Sequence, residues 1–318
     1  MINFFANIFG YVLNFIYEII KNYGLAIILF SVLLKLLLLP LTIKQQKTLK
    51  KSQKMQGELK NIQERYKNDP EKLNQEMMAL YKRENMSPFS GCLSSIIQII
   101  LLLAMFYLVR NPLTYMKKVD ADTINNYKER INLELGENSI STAYPEISIV
   151  KYINNKIDGI TDNKEDVIED NEILEENNEL KQDENTNEDK EESIDESLYI
   201  NMEFLGLDLS NIPRENFNDI KVFVIPILYI ISSVISIKLT QASTQKVVED
   251  KEEKNEQEDM TAQMNKSMTW MMPILAVSVS LVAPLGLALY WLINNILMIV
   301  ERIAIDKFIV PKEEENND

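Results

Sequence analysis

A single lysine lies inside a long apolar stretch of the sequence, where a positive charge is costly. The stretch covers residues 24–43, and Lys35 lies near its middle. Because a helix rises about 1.5 Å per residue, the stretch is long enough to cross a bilayer and places Lys35 close to the midplane. A cation at that depth costs about 3 kcal/mol or more. The chemistry that this residue offers is therefore electrostatic, namely the binding of an anionic group within the membrane.

The sequence indicates no buried partner for Lys35. The other apolar stretches are 92–109, 222–239, 267–283 and 285–300, and none has Asp or Glu in its interior. We expect the counter-charge to come from water, lipid phosphate or a passing substrate, each of which needs a polar cavity open to the membrane. The alternative is that the lysine stem reaches the membrane surface, although the distance is long for it.

Other polar side chains within the apolar stretches are few, and on helices they could line one cavity. Ser31 precedes Lys35 by four residues, so both lie on one helical face. Serines in a span often bond only to their own helix, and aromatic residues there are as often packing residues as cavity walls. The predicted groove residues are Lys35, Ser31, Gln98, Ser232, Ser236, Tyr290, Trp291 and Asn294, within a wider polar set that includes Ser233 and Asn295.

Composition argues against most enzyme chemistry. The chain has 318 residues, a net charge of -15, no histidine and one cysteine. These counts exclude a histidine-based triad, a histidine metal site, an internal disulfide and a cysteine-rich zinc site. Cys92 lies at the mouth of an apolar stretch, which favours packing over reactivity. We find no nucleophile beside a base and no phosphate-binding loop, so we expect no enzyme activity, cofactor or metal.

The apolar stretches alternate with polar segments, which predicts an all-α polytopic membrane protein with five transmembrane helices around a hydrophilic groove. The predicted segments are an interfacial amphipathic helix (1–22), the first span (23–43), a cytoplasmic helical hairpin (44–88), the second span (89–110), an extracytoplasmic region (111–218) with an acidic disordered insertion (161–197), the third span (219–240), a cytoplasmic loop (241–266), the fourth span (267–283), the fifth span (284–304) and an acidic cytoplasmic tail (305–318).

Two of these assignments depend on polar spacing. Asn3, Asn7, Gly10 and Asn14 recur on one face of the first helix, which favours lying on the membrane surface over spanning it. No basic segment or cleavage site marks a signal peptide there, so we expect it to stay attached. The many lysines and arginines of residues 44–83 predict a cytoplasmic hairpin, an outer amino terminus and a cytoplasmic carboxyl terminus.

The outer region and the hairpin each leave alternatives open. The flanks of the acidic insertion contain enough Tyr, Ile and Leu for a small folded cap or for separate amphipathic pieces. In the hairpin, Asp69 can cap the second helix and Pro70 suits its first position. Its apolar stripe predicts a self-paired coil, or in addition an adaptable surface for nascent hydrophobic chains. The predicted client or ribosome recruitment residues are Lys47, Lys50, Lys51, Lys54, Met55, Leu59, Met77 and Leu80.

Four short motifs occur in the order found in a known family. They are Lys35-Leu-Leu-Leu-Leu-Pro-Leu-Thr-Ile-Lys-Gln45, Pro88-Phe-Ser-Gly-Cys-Leu93, Met271-Met-Pro-Ile274 and Pro284-Leu-Gly-Leu-Ala-Leu-Tyr-Trp291. Together they resemble the YidC-type membrane protein insertases, in the Gram-positive-like form without a cleaved signal peptide. The resemblance covers the five spans and the hairpin but not the acidic outer region.

The resemblance implies a groove that opens to the cytoplasm and to lipid, takes up a nascent hydrophobic segment and releases it sideways. Lys35 matches the groove cation, which is usually arginine, Ser31 the hydroxyl one turn earlier, Gln98 the second-span polar position and Trp291 the fifth-span aromatic position. A third-span glutamine of the family is not evident, and serines could replace it. The implied partners are nascent membrane proteins, the lipid bilayer, the Sec translocon and the ribosome.

Three further expectations follow. The acidic carboxyl tail should repel ribosomal RNA, so the hairpin lysines are the better ribosome site, and no specific nucleic acid is expected. We expect a bacterial plasma-membrane location. The alternative functions are a small-solute or anion transporter, which would be unusual without an internal repeat, and a scaffold that acts through its acidic ectodomain.

Overall fold

The structure is a computed structural model that describes residues 2–86, 90–136, 139–159, 194–248 and 278–308. Almost all of its regular structure is helical. The helices are α1 (Ile2–Ile20), α2 (Tyr23–Arg65), α3 (Pro70–Arg83), α4 (Ser90–Arg110), α5 (Ala121–Leu135), α6 (Pro145–Ile157), α7 (Val224–Val248) and α8 (Leu285–Phe308), with a π-helical turn at Leu113–Lys117 and a short hairpin of β1 (Glu203–Phe204) and β2 (Leu207–Asp208).

Several of these helices are long and apolar enough to cross a membrane. Within the described residues they contain the segments Ile2–Ile20, Tyr23–Ser52, Ile220–Leu239 and Leu285–Ile305, and Ile99–Arg110 is a shorter apolar stretch. The all-α polytopic class predicted from the sequence is therefore confirmed. Most of the predicted fourth span lies outside the described residues, as do most of the loop before it and most of the acidic tail.

Helix α2 joins a membrane segment to a polar arm without interruption. At 43 residues it is about 65 Å long, so it extends well beyond the bilayer. The side chain of Asn22 caps its amino end by accepting a hydrogen bond from the Leu25 amide at 3.0 Å. Pro40 lies inside the helix and removes one backbone donor, which is tolerated in membrane helices because neighbouring groups compensate.

Helix α3 packs against the distal part of α2 and completes the hairpin. Asp69 caps α3 by accepting a hydrogen bond from the Lys72 amide at 3.1 Å, and Pro70 is the first residue of the helix. Both details are as the sequence predicts.

The amino-terminal ends of α2 and α8, hereafter their outer ends in the predicted topology, are joined by the segment between α6 and α7. The Tyr23 amide donates to the carbonyl oxygen of Asn201 at 3.0 Å, and the amides of Leu285 and Gly286 donate to carbonyls of the same segment at 2.9 Å. These amides belong to the first turns of their helices, where no partner exists within the helix. A Cβ atom on Gly286 would lie 3.5 Å from the Tyr23 ring, so α2 and α8 begin side by side.

Helix α1 has two apolar faces. One face is buried against α2, α4 and the π-helical turn, and the other is exposed. Gly10, which the sequence pattern groups with the polar residues, belongs to the buried face. Its missing side chain lets the backbone approach the carbonyl of Tyr115 closely. The buried residues are Ala6, Phe9, Gly10, Leu13 and Tyr17, and the exposed apolar residues are Phe4, Ile8, Tyr11, Phe15 and Ile19.

Helices α5 and α6 and the segment from 194 to 218 form a folded cap, the first of the two alternatives for this region. Part of the predicted acidic insertion belongs to it, because Glu196–Leu198 form a helical turn and Leu198 is buried. Residues 194–197 of the predicted insertion thus lie next to or within the cap, while residues 161–193 lie outside the described ranges. The buried apolar residues of the cap include Ile124, Ile131, Ile147, Ile149, Val150, Ile153, Leu198, Ile200 and Leu209.

A buried carboxylate attaches α6 to the π-helical turn. Glu146 accepts hydrogen bonds from the Thr114 amide at 2.9 Å and from the Thr114 hydroxyl at 2.6 Å. Burial raises the pKa of Glu146 more than these hydrogen bonds lower it. The contact fixes the cap to the turn that follows the carboxyl-terminal end of α4.

A second carboxylate, Glu134, connects α5 with α6. It accepts from the Tyr152 hydroxyl at 2.7 Å and from Arg130 at 3.1 Å, and its Oε2 lies 3.0 Å from the Lys156 ammonium. Burial acts to raise the pKa of Glu134, but the three donors outweigh it and lower the pKa to about 2.

Because the backbone at Gly10 lies so close to the carbonyl of Tyr115, we predict that a single added methyl group lowers the stability of the fold. In Gly10→Ala the new Cβ would lie 1.9 Å from the Tyr115 carbonyl oxygen, so α1 must move. We expect a loss of about 1–3 kcal/mol, as for other overpacked sites, measured by thermal unfolding in detergent. Gly57→Ala is the matched control, because its Cβ would meet no atom within 4 Å, and it should be neutral or stabilising. Equal effects of the two changes would contradict the packing described for α1.

The depressed pKa of Glu134 predicts a pH dependence of cap stability. Because the folded-state pKa lies below the ordinary value of 4.5, the contribution of Glu134 is fully present above that pH and is lost as the pH falls toward 2. The unfolding midpoint of the wild type should fall more steeply over this window than that of Glu134→Gln. Glu129→Gln, on the exposed face of the same helix, should keep the wild-type slope. Identical slopes in wild type and Glu134→Gln would show that the cluster does not stabilise the cap.

Candidate functional site

Lys35 has a buried partner, and the expectation that it has none is wrong. Its Nζ lies 3.3 Å from Oε2 of Glu301 on α8, and the two side chains are only 19% and 9% exposed. The last apolar stretch ends at Val300, directly before Glu301, so Glu301 does not belong to the interior of any apolar stretch. Because α8 continues to Phe308, the carboxylate is held by the same rigid helix as the apolar residues before it.

The ion pair joins two parallel helices, and both of its residues lie within segments that are apolar enough to span a membrane. α2 and α8 begin side by side at Tyr23 and Gly286 and meet again at Lys35 and Glu301, so they run in the same direction. From their starts the two residues lie about 18 Å and about 22 Å along the helix axes. Both distances are shorter than the hydrocarbon core, which is about 30 Å thick, so helices that begin at its edge would hold the pair inside it.

The pair is only partly satisfied. Glu301 uses Oε2 for Lys35, while its Oε1 is buried and has no hydrogen-bond partner among the residues that the structure describes. A carboxylate can accept about four hydrogen bonds, and leaving a buried oxygen unpaired is costly. The site can therefore take an additional donor or exchange one ionic partner for another, and it forms no covalent bond in doing so.

The hydroxyl of Ser31 is less available to a bound segment than the sequence pattern suggests. Its side chain is 2% exposed and its hydroxyl donates to the carbonyl oxygen of Ile27 at 2.7 Å. The hydroxyl therefore bonds to its own helix one turn before Lys35, which is the ordinary behaviour of a serine in a span. The structure does not place it on an open surface.

The polar residues of α7 and α8 form a closed contact between the two helices. The amide nitrogen of Asn295 donates to the hydroxyl oxygens of Ser232 at 3.0 Å and Ser233 at 3.1 Å, and all three side chains are buried. Ser232 in turn donates to the carbonyl oxygen of Tyr229. Ser232 thus serves helix packing, and Asn295 rather than the half-buried Asn294 is the linking amide.

The remaining groove candidates have different environments. Tyr290 is 4% exposed and belongs to the core, while Trp291 is half-buried with its ring 6.3 Å from that of Tyr229. Ser236 is half-buried. The side chain of Gln98 lies outside the described part of the structure. Among the predicted groove residues whose side chains the structure describes, only Lys35 forms an ion pair.

The apolar stripe of the hairpin closes on itself. Met55 and Leu80 are 5% and 3% exposed, so in this structure they pack within the hairpin, and their predicted role in recruitment stays a prediction. Leu59 and Met77 are half-buried. Met78 is 48% exposed and is the methionine of α3 that faces outward.

The hairpin lysines also differ from one another. Lys51 donates to the carbonyl oxygen of Glu84, which joins α2 to the end of α3, and Lys47 and Lys50 are half-buried. The side chain of Lys54 lies outside the described part. Across the described residues, no group of three His, Cys, Asp or Glu side chains could hold a metal ion.

Glu301, Asn295 and Ser233 are the residues that sequence reasoning ranked too low. Glu301 had a usable signal, since a helix that continues past its apolar stretch places the next acidic residue on the same rigid element. Asn294 and Asn295 are adjacent, and sequence spacing alone could not decide which of them faces α7.

Comparison with known proteins places this arrangement in a family. The sequence model described as "60Kd inner membrane protein" matches residues 15–155 and 190–313. A "Membrane protein insertase YidC" from Francisella tularensis subsp. novicida (strain U112) is 39% identical over 109 residues, which are 34% of this chain and 20% of that protein. Relatives of the same name from subsp. tularensis (strain WY96-3418) and subsp. holarctica (strain FTNF002-00 / FTA) give the same values. The match spans about one fifth of the length of these relatives.

The buried amide between α7 and α8 predicts a measurable stabilisation. Asn295→Ala removes both hydrogen bonds to the serine hydroxyls and should lower stability by about 1 kcal/mol, the scale of interhelical hydrogen bonds in membranes. The measurement is thermal unfolding in detergent. Asn294→Ala is the adjacent control and should cost less. If both variants lose the same stability, the amide of Asn295 does not join the two helices.

Proposed function

Because the chain belongs to the family described as 60Kd inner membrane protein, we propose that it is a membrane protein insertase and chaperone that captures nascent hydrophobic segments in a cation-containing groove and releases them into the bilayer. The observation that carries this proposal is the position of Lys35, inside a membrane helix with one partly satisfied partner. Its clients are nascent membrane proteins, and its location is a bacterial inner membrane.

The physical task of such a protein is to move polar flanking residues past hydrocarbon. Burial of an apolar segment of about 20 residues in lipid is favourable, but each charged residue that crosses costs about 3 kcal/mol. A polar groove shortens the apolar path, and Lys35 stabilises an acidic flank part of the way across. The energy then comes from burial of the client segment, so this step needs no nucleotide.

The hairpin of α2 and α3 is the proposed entrance on the cytoplasmic side. It carries Lys47, Lys50, Lys51 and Lys54, and the exposed Met78 offers a flexible apolar contact to an emerging segment. In this arrangement the amino terminus is outside and the carboxyl terminus is in the cytoplasm. The hairpin lysines are also the proposed ribosome contact, and cooperation with the Sec translocon belongs to the same proposal.

The charge of Lys35 is tested by insertion of a single-spanning client into proteoliposomes. With an acidic amino-terminal tail, Lys35→Arg should insert like the wild type, and Lys35→Ala should lose about tenfold or more, since a charge-assisted hydrogen bond is worth about 1.5–3 kcal/mol. A matched neutral tail should be less affected. Protection of the tail from protease reports the insertion.

Lys21→Ala removes an exposed cation, 65% accessible at its side chain, and serves as the control for a loss of one positive charge. It should insert both clients normally. Normal insertion of every client by Lys35→Ala would show that electrostatic capture at Lys35 is wrong.

A further inference from the structure

The contact between α2 and α8 carries a second inference, which rests on the proposed function. We propose that Glu301 is a displaceable internal counter-ion: its carboxylate occupies Lys35 while the groove is empty, and a carboxylate of the client takes its place. Glu301 would then compete with acidic segments for Lys35 and set how tightly the groove holds them. The argument depends on how weakly the pair is held and on where it lies.

Glu301 is held by fewer donors than another carboxylate of the same chain. Glu134 in the cap has three donors at 2.7, 3.0 and 3.1 Å. Among the described residues Glu301 contacts one donor, Lys35 at 3.3 Å, which is longer than the usual 2.7–2.9 Å of a charge-assisted hydrogen bond. Its Oε1 is buried and has no hydrogen-bond partner in the same set of residues. Glu134 therefore has the contacts of a fixed structural carboxylate. Glu301 is held more weakly, as a placeholder, meaning a carboxylate that a client carboxylate can displace.

An internal carboxylate lets the empty groove keep its cation. Without a partner, the charge of Lys35 would raise the free energy of the protein at this depth. The ion pair therefore stabilises the protein when no client is bound. A client carboxylate that replaces Glu301 restores one ionic contact for each one lost, so the exchange has a low cost. A neutral segment offers no replacement, so it leaves the Lys35–Glu301 pair in place. Glu301 therefore competes with acidic clients alone and keeps their binding to Lys35 reversible.

The two charges are also on different helices. Since Lys35 belongs to α2 and Glu301 to α8, release of the pair frees one contact between these helices at the depth where a client would enter. At their outer ends the helices stay joined through the cap, by the amides of Tyr23, Leu285 and Gly286. Exchange can thus loosen the inner part of the α2–α8 contact while the outer part stays closed.

The test uses the full chain in lipid nanodiscs and two synthetic peptides. Each peptide has the same 20-residue apolar segment, preceded by two Asp in one and two Asn in the other. In Glu301→Gln the competing carboxylate is absent, so the Asp peptide should bind about tenfold more tightly than to the wild type. The Asn peptide should change little. Glu301→Asp keeps the charge and should bind both peptides like the wild type.

Controls separate exchange from folding and from the proposed function itself. Glu18→Gln removes an exposed carboxylate that pairs with Lys21 and Lys117, and it should leave both affinities unchanged. Thermal unfolding of each variant identifies those that fail to fold. If Glu301→Gln folds and binds the Asp peptide no more tightly than the wild type, the placeholder role is overturned while capture by Lys35 stands. If Lys35→Ala binds the Asp peptide normally, the proposed function fails as well.

Discussion

The arrangement of the membrane helices depends on the cost of burying a charge. Lys35 must have an anionic partner at its depth, and Glu301 of α8 provides one at 3.3 Å. This requirement fixes α8 beside α2 and sets how far the two helices are shifted along one another. A pair of apolar side chains could hold the helices together at least as well, since buried ion pairs often contribute no more stability than hydrophobic residues of similar volume. The value of the pair is that its partners can be exchanged.

The rest of the molecule closes one end of the helices and leaves the pair near the other. Carbonyl oxygens of the cap accept hydrogen bonds from the first amides of α2 and α8. Glu146 attaches α6 to the turn after α4, and Glu134 connects α5 with α6. On the cytoplasmic side of the proposed topology, α2 continues into the hairpin. A client that enters from the hairpin would thus reach Lys35 before it meets the cap.

Sequence patterns gave correct predictions for features that depend on a single helix. The cap of α3 by Asp69 follows from nearest-neighbour chemistry, and the position of Lys35 follows from the length of an apolar stretch. Prediction failed where two elements meet. The choice of Asn295 over its neighbour and the pairing of Lys35 both depend on how one helix rotates against another. The spacing of residues within one helix does not determine how that helix is rotated against its neighbour.

The most direct measurement is photo-crosslinking of a stalled client whose acidic flank has entered the protein. A photoreactive residue at Met298, one turn before Glu301 on α8, or at Leu38, one turn after Lys35 on α2, should label the client. The same residue at Phe15, on the exposed apolar face of α1, should label lipid instead. Client labelling at Met298 and Leu38 alone is the predicted result. Equal labelling at all three positions, or at Phe15 only, would contradict a client site at the Lys35–Glu301 pair.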